Sequence, residues 1–158
     1  ICLICEIAAW AKDQGKTLYD LLMDIYLEYG FSKEATINVV KPGKSGAEEI
    51  KAMMTKFREN PPTEIGGSKV AVWKDFANLT CKKADGTEEK IDMPATSNVL
   101  QWFCEDGTKI SVRPSGTEPK IKFYTEIHDK IASACEYDAK VEWANAKLKT
   151  IASDLKLD

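Results

Sequence analysis

No stretch of the sequence is apolar for long enough to cross a bilayer as a helix, which excludes that mode of membrane association. A basic excess is also lacking: Lys and Arg number 22 against 25 Asp and Glu, for a net charge of −3. That balance disfavours general nucleic-acid binding, which draws on a clear positive surplus, while leaving room for one local basic pocket. Cysteine is sparse and unordered. Cys2, Cys5, Cys81, Cys104 and Cys135 are odd in number and irregular in spacing, which argues against a disulfide framework and for a reducing cytoplasm. A Walker-type loop is missing as well. Gly15-Lys16-Thr17 matches its end, but Trp10 stands where the earlier glycine belongs, so helix punctuation is the better reading. Cys2 and Cys5 have CxxC spacing without a second ligand pair, and their apolar helix makes core packing their expected role.

What remains is an ordinary globular composition, 44% hydrophobic and 30% charged, over 158 residues, enough for one core plus an appendage. The chain starts without Met inside an apolar pattern and reads as a piece of something longer. Ile1 to Trp10 has neither the basic lead nor the cleavage site of a signal peptide.

Apolar spacing and punctuation predict the elements. Ile1 to Gln14 reads as a helix stopped by Gly15. Thr17 caps a second helix with Asp20 in a capping box; Leu18, Leu22, Ile25 and Tyr29 form its stripe, and Gly30 ends it. The two helices present apolar faces that need a partner. Ala35 to Val40 reads as a strand. Ser45 and Glu48 suggest a further capping box, opening a helix to about Asn60 that buries Ile50, Met53, Met54 and Phe57. Strands follow at Lys69 to Phe76 and Leu79 to Lys83, with a turn at Asp85-Gly86 and a solvated edge at Lys82 and Lys83. Asn98 to Phe103 and Lys109 to Val112 flank Asp106-Gly107 as a hairpin. Lys120 to Thr125 alternates Ile121, Phe123 and Thr125 against Lys120, Lys122 and Tyr124. His128, the one histidine, is expected at the surface just past this strand. Ala134 through Leu155 steps by three and four as the buried face of a last helix. The order implies an α+β fold: a mostly antiparallel sheet with helices on one face, preceded by a helix pair. The boundary falls near Phe31 to Glu34, dividing residues 1–33 from residues 34–158.

One stretch carries chemistry. Arg113-Pro-Ser-Gly-Thr-Glu-Pro-Lys-Ile-Lys122 lies between two predicted strands. Arg113 offers a planar fork of donors suited to phosphate oxygens. Ser115 and Thr117 offer hydroxyls, and Gly116 permits a positive φ that would let successive N–H groups converge on an anion. Pro114 and Pro119 stiffen the loop. Lys120 and Lys122 add positive charge on one face of the next strand. Glu118 would repel a phosphate, and is expected to bond backbone or a neighbouring lysine. Composition alone favours a plain turn flanked by solvated charges.

Arg113 to Tyr124 resembles, nearly residue for residue, the phosphate-binding loop of the α-phosphohexomutases, the phosphoglucomutase/phosphomannomutase family. Ser97 to Phe103 with the Asp106-Gly107 turn, Glu48 to Gly67, and the helix pair are similar to that family too. The resemblance implies a fourth, TATA-binding-protein-like domain, which grips the non-reacting phosphate of a hexose phosphate through Arg113, Ser115, Gly116 and Thr117, with Lys120 or Lys122 assisting. Residues 1–33 would end the third domain. The family's phosphoserine loop, Asp-Gly-Asp metal loop and Gly-Glu-x-Ser-Gly sugar loop are absent, so this segment is expected to hold no metal and no catalytic residue. Mg2+ and hexose 1,6-bisphosphate would serve the intact, cytoplasmic enzyme, whose partners are the phosphosugar and the N-terminal domains, not nucleic acid or membrane. Glucose or mannose phosphate is the expected substrate. The alternative is a stand-alone module binding a phosphorylated ligand or nucleic acid without catalysis.

Overall fold

The computed structural model describes residues 1–157. Helix α1 (Cys2–Asp13) ends in a Schellman closure: Lys16 N–H donates to the Ala11 carbonyl at 2.8 Å and Gly15 N–H to that of Lys12 at 2.9 Å. Helix α2 (Leu18–Tyr29) begins with the expected capping box, in which Asp20 N–H donates to Thr17 Oγ1 and Thr17 N–H to Asp20 Oδ2. The pair docks through aromatics. Tyr26 lies 5.4 Å from Phe31 and 5.9 Å from Tyr137 between ring centroids, and its hydroxyl donates to the Ser32 carbonyl at 3.1 Å.

The stripe read from α2 faces the other way. Leu18, Leu22, Ile25 and Tyr29 are exposed, while Met23 is buried and Tyr26 carries the contact with the sheet. Cys2 and Cys5 are exposed too, correcting their expected place in a core. Both corrections have one reason: only the Met23–Tyr26 side of the pair meets the rest of this chain, and the remaining apolar face is uncovered here.

The sheet is built from β1 (Phe31–Val40), β2 (Glu64–Ile65), β3 (Ser68–Asp75), β4 (Thr80–Lys83), β5 (Glu88–Lys90), β6 (Leu100–Cys104), β7 (Lys109–Pro114) and β8 (Lys120–Asp129). Its order is β1-β8-β7-β6-β3-β4-β5, with β2 paired to β3, and every pairing is antiparallel. Two strands run longer than the sequence suggested. β1 starts at Phe31, not Ala35, and β8 runs on to Asp129, because the two pair along their whole length from Phe31↔Asp129 to Val40↔Lys120. His128 therefore lies within β8, exposed as expected. The short β2 and β5 were not anticipated.

Helices α3 (Lys44–Glu59) and α4 (Tyr137–Asp154) contribute to the same core as one face of the sheet, giving the α+β layout. Ile50 and Met54 of α3, and Ala144 and Ile151 of α4, join Trp102, Ile110, Val112, Ile121 and Phe123, all 6% exposed or less. Each large apolar side chain so buried contributes about 1.5–3 kcal/mol. The Ser45–Glu48 box does not form. Gly43 caps α3 at φ 88°, so Ser45 already lies inside the helix. Gly46 fits there for want of a side chain: a Cβ would stand 1.8 Å from the Lys41 carbonyl oxygen.

Asp75, 1% exposed, is the one buried carboxylate among the described residues. It accepts from Ala77 N–H at 2.9 Å, from Asn78 Nδ2 at 2.6 Å and from Arg58 Nε at 3.3 Å. Removing it would leave Arg58 Nε and the Ala77 N–H without their acceptor, while Arg58 Nη2 keeps Asn98 Oδ1 at 2.5 Å. Asp75→Ala is expected to cost about 3 kcal/mol in urea unfolding, the scale of breaking a buried ion pair. A loss within the range of an exposed pair, about 1 kcal/mol or less, would contradict the assignment.

Candidate functional site

Strand alternation places the loop chemistry. Along β8, Ile121, Phe123, Thr125 and Ile127 are buried at 0–1% exposure, so Lys120, Lys122 and Tyr124 project from the open face. In β7 the register sets Arg113 directly opposite Lys122 and Pro114 opposite Ile121. Arg113 is exposed, and neither it nor Lys122 meets a carboxylate within salt-bridge distance among the described residues. Like charges in directly opposed positions repel.

The turn joining β7 to β8 is held by its backbone. Ser115 N–H donates to the Lys120 carbonyl at 2.8 Å and Lys120 N–H to that of Glu118 at 2.7 Å. Lys41, just past β1, donates its N–H to the Pro119 carbonyl at 2.9 Å. Ser115 Oγ accepts from Thr117 N–H at 3.4 Å and Glu118 N–H at 3.3 Å, both longer than a good N–H···O bond. These two amides are thus collected at one point and only weakly satisfied. Gly116 does not use a left-handed conformation, correcting that expectation; a Cβ there would meet nothing within 4 Å, so the position is open on the cavity side of the loop.

Arg113, Ser115, Gly116, Thr117, Lys120 and Lys122 all line one cavity of about 450 Å³. Pro114 and Tyr124 complete it. Sequence reasoning did not assign Tyr124 a part, although the alternation had already placed it on the face of Lys120 and Lys122. On its other side the loop bounds a larger cavity of about 720 Å³ against α3, lined by Ile50 and Met54 with Lys51, Thr55, Arg58, Asn98 and Glu118 at its polar positions. Volume does not choose between the two. Opposed cations do: Arg113 and Lys122, paired across two strands, line the smaller, whereas among the described residues Lys51 is the lone unpaired cation of the larger, which also holds Glu118. Residues of α3 could not be assigned to either from sequence, since only tertiary packing brings that helix beside the loop.

Glu118 bonds Lys120, as expected. The hydrogen bond and charge of Lys120, with a further contribution from Lys122, hold the Glu118 carboxyl below the ordinary glutamate range. Lys120 is therefore committed within the loop, whereas Lys122 is not. Burial pushes the Cys104 thiol up to about 11, which keeps it protonated and unsuited to nucleophilic chemistry. No cluster of three or more His, Cys, Asp or Glu side chains that could hold a metal ion is found among the described residues.

Residues 37–141 match the family model described as the phosphoglucomutase/phosphomannomutase C-terminal domain. The chain belongs to this family. Its relatives include a phosphoglucomutase of Staphylococcus haemolyticus (strain JCSC1435), 39% identical over 127 residues, which cover 80% of this chain and 23% of that protein. A phosphoglucomutase of Staphylococcus aureus (strain bovine RF122 / ET3-1) is 40% identical over 126 residues, 79% of this chain and 22% of that protein. The mutase C-terminal domain described here thus spans less than a quarter of the length of these relatives. Among solved structures, the open form of the exocytosis-sensitive phosphoprotein pp63/parafusin from Paramecium gives a TM-score of 0.48 at 15% identity, covering 89% of this chain and 23% of that one. No described helix is long and apolar enough to cross a membrane.

The Glu118–Lys120 pair in this mutase domain makes a pH prediction. A carboxyl whose folded pKa is lowered contributes stability above its unfolded value and loses it as pH falls through the folded one. The pair should therefore persist at neutral pH and dissolve only in acid. Side-chain carbon NMR is expected to place the Glu118 midpoint below that of glutamate in a short peptide, and Lys120→Met should raise it. An unchanged midpoint in Lys120→Met would contradict the pairing.

Proposed function

We propose that this domain holds the non-reacting phosphate of a hexose phosphate within an intact phosphosugar mutase, which interconverts the 1- and 6-phosphates. The observation that carries the reading is the opposed, unpaired Arg113 and Lys122, beside a loop whose Thr117 and Glu118 amides are only weakly engaged. A dianion between these groups turns their mutual repulsion into attraction. It also accepts from the guanidinium fork, from the Ser115 and Thr117 hydroxyls and from the loop amides. Gly116 lets it approach without obstruction.

Gripping a phosphate remote from the reacting bond assists catalysis because that binding energy orients and desolvates the distant end of the substrate. In this reading residues 34–158 form the gripping domain and residues 1–33 the end of the preceding one, except that Phe31–Lys33 join the gripping domain's sheet as the start of β1. The uncovered apolar face of α1 and α2 is then the surface left for that domain. The phosphoryl-transferring serine, the magnesium ion and the bisphosphate intermediate belong to the rest of the enzyme. Glucose or mannose phosphate is the substrate class that the family suggests.

The test is Arg113→Ala. In the intact enzyme it should lower kcat/KM by roughly 1.5–3 kcal/mol of transition-state stabilisation, the scale of a charge-assisted hydrogen bond. In this chain it should abolish the NMR shift changes that inorganic phosphate induces in the amides of 115–118. Unchanged kcat/KM and an unchanged phosphate titration would refute the role.

A further inference from the structure

Tyr124 serves no contact that the fold requires. It is 37% exposed on the open face of the sheet, and among the described residues its ring joins no aromatic pair and its hydroxyl no hydrogen bond. Its neighbours are fixed by register. Ser111 and Thr36 stand opposite it, Lys122 lies two residues along the same face, and Arg113 is diagonal across the strand pair. That diagonal is within reach of long side chains. Glu126, next on this face, is occupied by Lys109 at 2.8 Å, so its carboxylate already has a cation.

The cavity that Tyr124 shares with Arg113 and Lys122 measures about 450 Å³. That lies within the range of small-molecule pockets, about 300–1,000 Å³, and is far larger than a bare phosphate fills. Its cations and hydroxyls gather at the loop end, and its one aromatic surface lies further along β8. An ester fits this division: phosphate at the charged end, organic body against the ring. A pyranose presents a face of C–H bonds, which suits the negative face of an aromatic ring, and its hydroxyls can meet a tyrosine hydroxyl at the rim.

We infer that Tyr124 is a binding and specificity residue of this site, a platform on which the sugar ring lies while Arg113 and Lys122 hold its phosphate. The inference rests on the phosphate reading above and deepens it: the pocket recognises a sugar phosphate as a whole, not an isolated dianion.

The two readings separate when this chain is titrated with inorganic phosphate and with glucose 6-phosphate, followed by amide NMR and fluorescence. Wild type should bind glucose 6-phosphate more tightly than phosphate. Tyr124→Leu should remove that advantage, weakening glucose 6-phosphate by roughly three- to tenfold, the scale of an aromatic face contact, while leaving phosphate unchanged. Tyr124→Phe should retain most of it. Circular dichroism and the unperturbed phosphate affinity report that Tyr124→Leu is folded. If phosphate binds and is lost in Arg113→Ala, yet Tyr124→Leu leaves glucose 6-phosphate unaffected, the tyrosine inference fails alone. Equal weakening of both ligands by Tyr124→Leu also overturns it. If neither ligand shifts any resonance, both readings fall. Tight, salt-sensitive binding of a single-stranded oligonucleotide that depends on Tyr124 would replace the sugar with a base and overturn the proposed ligand class.

Discussion

The pairing of Arg113 with Lys122 is an electrostatic cost that the fold imposes on itself. It follows from the other face of the same strands. Val112, Ile121 and Phe123 are fully buried, and a slip of one residue in β8 would turn Ile121 and Phe123 out to water. The register is therefore set by several kcal/mol of apolar burial, against which the repulsion between exposed Arg113 and half-buried Lys122 is small. Core packing thus fixes the backbone positions of two positive residues side by side without their supplying any of the stability. Such a pair is a ready site for an anion, because the fold has brought the two charges together before a ligand arrives.

The surrounding loop extends this arrangement. Its ends are tied by backbone hydrogen bonds, one of them from Lys41 beyond β1, and the close approach of Gly46 to the Lys41 carbonyl links α3 to the same corner. Glu118 neutralises Lys120 inside the loop and leaves Arg113 and Lys122 as the uncompensated charges. In the function proposed above, this site would hold a charged group, and the bond chemistry would lie in the rest of the protein; this chain spans less than a quarter of the relatives' length.

Much of this was legible in the residues. The alternation from Lys120 to Thr125 separated the buried face from the cationic one, and the three-and-four spacing from Ala134 to Leu155 gave the last helix, although Ala134 itself is exposed in a short 3-10 turn before Tyr137. Asp106-Gly107 gave the hairpin that brings β6 beside β7. Other features depend on partners distant in sequence. The start of β1 at Phe31 is fixed by β8, and its first residues carry no strand pattern of their own. Gly43 displaces Ser45 from the cap by a turn that local preference did not reveal. The α2 stripe is real as a pattern, but which side meets the sheet is decided by Tyr26 and Tyr137. Gly116 was expected to shape the backbone, yet its φ is ordinary and the space around it is open. Tyr124 was placed on the correct face by sequence, and only the open cavity shows what it stands beside.

The central claim is that an anion relieves the Arg113–Lys122 repulsion, and thermal unfolding of this chain tests it most directly. Lys122→Met removes the repulsion and the second cation together. The account expects this variant to melt above wild type in phosphate-free buffer, and added inorganic phosphate to raise the wild-type Tm while leaving the variant's nearly unmoved. A variant that melts lower without phosphate, or that gains as much from phosphate as wild type, would contradict it.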